Sequence, residues 1–348
     1  MTSPATPGVL AARVSAQLLG SDRATSAVEV VDRLGALQAQ DLSATALAVR
    51  ARSDGLTAAG LGLEESRFVR TWLMRGTLHL VAASDVGWML GLLGPINRAK
   101  GARRRAQLGL DDALCSRAVA ALPEVLADGA LSRAEVVTRL ASLGVVIGPG
   151  QAAPHLLGYA ASLGVLCLGP EVARGKPTYR LLDAADPLEP AAAAAKLARR
   201  FLTGHQPAGW GDFGTWSGLG AREARAAFAA LGDELEADGP FRTLRGSAPV
   251  PADEPAVRLV GHFDPYLLGY ADRMAVVSGE FVTRVRTGGG FVTPTVLING
   301  RAVATWRLSG TTLALEPFAP LPAPVLADVE AEVTDLSRFL AKPLTMSI

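Results

Sequence analysis

Ala27, Val30, Val31, Leu34 and Leu37 recur at three- and four-residue spacing with Glu29, Asp32 and Arg33 between them, which predicts an amphipathic helix over 26–37. Ser26 is placed to cap its start, and Glu29 three residues on completes a capping-box pattern. Residues 44–51 are apolar and predict a second helix, and 56–63 form a short segment punctuated by glycine. The pattern then changes. Val69, Thr71, Leu73, Thr77 and Val81 favour extended backbone, and Arg75-Gly76 can make the tight turn of a hairpin. Helices followed by a short hairpin are the pattern of a winged helix, a variant of the helix-turn-helix.

The pattern recurs. Ser132 and Glu135 form a second capping-box pair ahead of Val136, Val137 and Leu140, with Gly144 to close the helix. Residues 152–163 predict a recognition-type helix. Strands over 165–168 and 178–182 then flank Gly169-Pro170 and Gly175-Lys176-Pro177. A third set is predicted from helices over 193–202 and 221–231, with Asp212 to Ser217 as a cap or turn, and the Pro/Ala-rich stretch 187–195 reads as a linker. Beyond residue 240 the chain turns to strands. They are predicted over 257–260, 274–277, 281–285, 295–298, 301–308 and 312–315, with Asn299-Gly300 as a hairpin turn and a closing helix over 323–340. Short strands at this spacing suggest a small barrel or curled sheet. The expectation is an α+β chain in four segments, with winged-helix units over 1–110, 111–185 and 191–240 and a barrel-like domain over 241–348.

Composition narrows the class. Hydrophobic residues make up 49% of the 348 and charged residues 19%, ample for packed cores and too apolar for a disordered chain. No apolar run approaches the ~20 residues of a membrane span, and no signal peptide is visible, so a soluble cytoplasmic protein is expected. Cys115 and Cys167 are isolated, which gives neither a disulfide framework nor a zinc site. Net charge is only +1, yet residues 1–110 carry 13 Lys+Arg against 8 Asp+Glu. The densest run is Arg98, Lys100, Arg103, Arg104 and Arg105. It suits phosphate neutralisation, and a solvated helix face accounts for it equally well.

Candidate chemistry is sparse. The four histidines have no metal-ligand spacing, and no GxSxG elbow is present. The GxGxxG spacing of residues 209–214 follows a helix and not a strand, and Gly288-Gly289-Gly290 lacks the Lys-Ser/Thr of a phosphate loop. No cofactor is expected. Gln38 and Gln40 would share a face only in extended backbone, since i and i+2 diverge by ~200° in a helix. By themselves they are also what an ordinary surface loop offers. The hairpin holds Trp72 and would bring Arg75, Thr77 and His79 together to bond a phosphate or polar ligand, or would simply pack with His79 in the core. Asp264 and Arg273 read as a structural ion pair.

Leu34-Gly35-Ala36-Leu37-Gln38-Ala39-Gln40, Trp72 to Leu80, His155 to Ala160, Phe263 to Arg273, Asn299-Gly300-Arg301 and Thr305-Trp306-Arg307 together resemble, in order, the AlkZ-like winged-helix DNA glycosylases. The resemblance runs from about Val9 to the C-terminal strands. It implies three tandem winged-helix units against a β-barrel, in a C shape with a concave DNA-binding face. It also implies excision of alkylated purines from double-stranded DNA, bulky adducts and interstrand crosslinks included. The family's catalytic motif is Gln-x-Gln in one branch and Gln-x-Asp in another. Gln38-Ala39-Gln40 matches the first, which is associated with antibiotic self-resistance, although Ala39 replaces the bulky middle residue common there. Arg75, Thr77, His79, Arg98, Arg103, Arg104 and Arg105 are then expected at the DNA, with Trp72, Asp264 and Arg273 supporting the site. With four lysines, none in these motifs, a Schiff base to the sugar is not expected. The sequence shows no sustained heptads, so a monomer is expected. The rival readings are a non-catalytic winged-helix regulator and a protein that sequesters the toxin itself.

Overall fold

The computed structural model describes residues 6–63, 65–184, 187–247, 256–272, 274–288 and 290–348. The chain forms two compact units, both discontinuous in sequence. One comprises Met1–Gln38, Leu42–Leu63 and Ala195–Ile348, and the other Ala39–Asp41 and Glu64–Ala194. Among the described residues no helix is long and apolar enough to cross a membrane.

The second unit is built on antiparallel strands ordered Leu78–Ala82, Phe68–Trp72, Leu166–Ala173, Lys176–Leu181 and Leu131–Ser132. The expected hairpin over 68–81 is present, with Phe68 opposite Ala82 and Trp72 opposite Leu78. It does not stand alone, because Arg70 pairs with Leu168 and joins it to the second hairpin. Pairing removes two exposed strand edges that would otherwise need shielding. The second hairpin turns at Arg174-Gly175, where Gly175 takes φ 70°, and not around Gly169-Pro170. Pro170 lies where the register shifts between Leu168 and Glu171, a position that tolerates the missing N–H.

Helices Asp112–Val125, Arg133–Ser142 and Ala152–Ser162 bury Leu122, Val136, Leu140, Leu156 and Leu157 in one core. Ser132 and Glu135 make the expected reciprocal capping box. The longest helix, Ala83–Gln107, lies outside the expected elements, since Gly87, Gly91, Gly94 and Pro95 break up its apolar pattern. Gly94 has a packing reason. A Cβ there would lie 2.3 Å from Ser162 O, so only glycine lets this helix approach Ala152–Ser162 so closely.

The first unit holds the helices Pro7–Ala16, Ala27–Leu34, Leu42–Arg50, Trp210–Ser217 and Ala221–Ala229, followed by the hairpin Leu235–Asp238 and Phe241–Leu244. Ser26 caps Ala27–Leu34 as expected, but Glu29 reaches back to Thr25 N and not to the cap residue. Residues 187–195 are not a linker throughout, because Pro190 opens the helix Pro190–His205. Proline suits a first turn and alanine is the best helix former. The C-terminal sheet runs Thr345–Ser347, Thr312–Pro317, Arg301–Ser309, Thr295–Ile298 and Val257–Val260, with the helix Ala323–Leu340 against its last strand. Asn299 and Gly300 both take positive φ, as the hairpin turn demands. The strands expected over 274–277 and 281–285 are absent. The first is a turn and the second continues into the short helix Val282–Val285. Short apolar runs carry too little periodicity to separate the two states.

Candidate active site and nucleic-acid interface

Gly35, at φ 73°, ends the helix Ala27–Leu34 three residues before the first glutamine. The chain then runs extended through Leu37–Gln38. Leu37 and Ala39 are fully buried, Gln38 is half-buried and Gln40 is exposed. That is the period-2 pattern of extended backbone, so both glutamine side chains lie on the solvent side of one peptide. The backbone is pinned. Thr45 Oγ1 donates to Gln38 O at 3.0 Å, and Ala39 N donates to Leu78 O at 2.8 Å. Arg70 Nε donates to Ala39 O at 2.8 Å, while its Nη1 donates to Glu171 Oε1 at 2.8 Å. Arg70 was not among the expected site residues. Its sequence signal is a cation in the apolar strand Phe68–Trp72.

In the hairpin, Arg75 takes left-handed backbone with φ 56° and is exposed, Thr77 is half-buried, and Asn97 Nδ2 holds Leu73 O at 2.8 Å. His79 departs from its expected role as a phosphate contact, since it is buried. Burial first, and then the Arg75 charge, depress its pKa to about 3, so it is neutral. Its Nδ1 lies 2.9 Å from Thr77 O, which places the proton on Nδ1. His205, in the first unit, is likewise held to about 3 by burial, with Arg52 and Arg13 adding to the effect.

These two histidines predict acid sensitivity. In the unfolded chain each takes up a proton near pH ~6.5, and in the fold only near 3. Between those values the unfolded state binds more protons. Stability present at neutral pH is therefore lost as pH falls, by up to about 1.4 kcal/mol per pH unit per histidine. Urea unfolding at pH 7, 6 and 5 should show a falling midpoint, and a flat profile would contradict neutral burial of both.

The basic run divides. Arg98, Arg104 and Arg105 line an open groove of about 470 Å³ with Trp72 and Arg75, whereas Arg103 is not among its lining residues. Helix phase explains this, since position 103 lies ~140° around the axis from 98. Arg98 Nη1 also donates to Ser162 O at 2.6 Å, which ties the helix Ala83–Gln107 to Ala152–Ser162.

The expected partner of Asp264, Arg273, lies outside the described residues. The Asp264 carboxylate takes two bonds from Arg52, at 2.7 and 2.8 Å, and both side chains are fully buried. Arg52 also donates to Gln17 Oε1 and Ala48 O. Two residues earlier, Arg50 reaches Glu332 at 2.8 Å and Asp335 at 2.7 Å. These arginines anchor the far end of the helix Leu42–Arg50, whose Thr45 holds Gln38. Sequence reasoning missed both. The available signal was Arg50-Ala51-Arg52 ending an apolar helix with no acid beside it.

Comparison with known proteins identifies the family. The family described as DNA glycosylase AlkZ-like matches residues 31–339. An interstrand DNA cross-link repair glycosylase of Streptomyces sahachiroi is 31% identical over 360 residues, covering 95% of each chain. The solved structure of the Streptomyces sahachiroi DNA glycosylase AlkZ superposes with a TM-score of 0.78 at 26% identity, over 99% of this chain and 100% of that one. The chain therefore belongs to the AlkZ-like family of DNA glycosylases.

Proposed function

We propose that the chain is a monofunctional glycosylase that removes purines alkylated at N7 or N3, with Gln38 and Gln40 holding the attacking water. One observation carries the reading. The two amides lie on the solvent side of an extended peptide whose backbone is fixed by Thr45, Leu78 and Arg70. An alkylated purine carries a positive charge, so its bond to C1′ is already weak and needs no general acid. When that bond breaks, its electron pair returns to the base, which leaves neutral. Water bonds to C1′ and releases a proton to solvent, leaving an abasic site. A neutral amide accepts a hydrogen bond from that water and donates another to sugar or phosphate. Glutamine is a feeble base, so its contribution is orientation.

In this reading the three helix-and-hairpin segments 1–110, 111–185 and 191–240 act as winged-helix units beside the barrel-like 241–348. Arg75, Thr77 and the Arg98–Arg105 stretch contact the backbone of duplex DNA, and the enzyme works as a monomer in the cytoplasm. That the 31%-identical relative is an interstrand DNA cross-link repair glycosylase supports crosslinks as a further substrate class. Ala39, small and buried, sets the spacing of the two amides without reaching toward the lesion.

A panel of duplexes tests the reading. Release of 7-methylguanine and 3-methyladenine is expected, with an intact abasic strand and no borohydride-trapped adduct. Uracil and hypoxanthine, which are neutral, should stay in place. Efficient release of either neutral base contradicts the mechanism.

A further inference from the structure

The groove in the second unit combines features that a plain basic surface lacks. Its volume of about 470 Å³ falls within the ~300–1,000 Å³ of small-ligand sites. Arg75, Arg98, Lys100, Arg104 and Arg105 line it, and among the described residues no carboxylate does. Trp72 contributes an indole from the hairpin and Tyr159 a phenol ring from the helix Ala152–Ser162. Gly158 lies against the indole, since a Cβ there would be 3.7 Å from its ring. Among the described residues the Trp72 Nε1–H has no acceptor.

Arg105 is held in place by two contacts. Its Nη2 donates to Arg98 O at 3.0 Å, and its guanidinium lies 4.6 Å from the centre of the Tyr159 ring. Gly101 leaves it room, because a Cβ there would come within 2.8 Å of Arg105 Nη1. A fixed guanidinium plane on an aromatic ring is a stacking platform in its own right.

We infer that this groove holds one nucleotide of a DNA strand drawn out of its stack, with the base against Trp72 and the Arg105–Tyr159 pair and the flanking phosphates on Lys100 and Arg104. The inference rests on DNA being the substrate of this glycosylase and adds a second contact site to the glutamine peptide. A backbone contact alone would need the cations but neither the indole nor the Arg105–Tyr159 pair. A groove that reads no base edge suits a site that must accept any sequence beside a lesion, since every base has a π-face. His155 on the same wall reports occupancy. Burial, then Arg104 and Arg105, lower its pKa in the free protein, and a bound phosphate would offset those charges.

The test uses the full chain and undamaged single strands, so no step depends on base release. An oligothymidylate of about 12 nucleotides and an abasic oligomer of equal length are titrated by anisotropy. The base-bearing strand should bind about tenfold tighter, the low end of stacking on one ring. Trp72→Leu should abolish that preference with its circular dichroism unchanged, and Trp72→Phe should keep it. Lys100→Ala with Arg104→Ala should shrink the salt slope by about 1.4, at ~0.7 per phosphate on a single strand. Oligomer binding should raise the His155 pKa in an NMR titration. Equal affinity for the two oligomers overturns the stacking site, and an unchanged salt slope overturns the phosphate placement. Neither result bears on whether the glutamines catalyse excision.

Discussion

Gln38→Ala and Gln40→Ala should each slow single-turnover release of 7-methylguanine by at least about 10²-fold, while duplex binding stays within a few-fold of wild type. A loss of that size is about 2.7 kcal/mol of transition-state stabilisation, in keeping with misplacing a bound water. The structure makes the experiment clean. The bonds that pin the peptide use Gln38 O, Ala39 N and Ala39 O, and truncating either side chain removes none of them. Release that persists at the wild-type rate in both variants removes the glutamines from the mechanism. Binding and release lost together would make them DNA-gripping groups, which is the regulator reading of the same motif.

Arg52→Ala should lower stability by about 3–5 kcal/mol, read from guanidinium chloride unfolding. The side chain and its partner Asp264 are both fully buried and joined by two bonds. Removing the cation leaves a carboxylate with no solvent and, among the described residues, only the Tyr266 N–H, which donates to it at 2.9 Å. Gln17 and Ala48 O lose a donor as well. Against a typical total of ~5–15 kcal/mol, such a loss approaches the unfolding threshold. Asp264→Ala in the Arg52→Ala background should cost much less than the sum of the two single changes, because both remove one interaction. Additive costs would show that the pair does not act as a unit. Arg103→Ala, on an exposed position away from the groove, should stay within about 0.5 kcal/mol and serves as the control.

Elements with strong local signals were legible. The capping box at Ser132, the Asn299-Gly300 turn and the helix Ala323–Leu340 appear where the residue pattern places them. Each depends on residues a few positions apart, so local chemistry decides it. The helix Ala83–Gln107 was not legible as an element, because its glycines, one of them required by close packing, and Pro95 interrupt the apolar period. With the helix went its phase, and with the phase the reason Arg103 parts from Arg98, Arg104 and Arg105.

By itself, the sequence determined the family, the order of its motifs, the α+β class and the conditional statement that Gln38 and Gln40 share a face if the backbone is extended. Only the tertiary structure met that condition. Arg70 and Leu78 come from a hairpin, 31 and 39 residues on, and they hold Ala39 in place through bonds that no local pattern announces. Likewise, Asp264 takes its two guanidinium bonds from Arg52, 212 positions away. Local spacing fixes which face a side chain takes. A buried charge must be matched by whichever counter-charge the fold brings within bonding distance, and that choice is made through space and not along the chain.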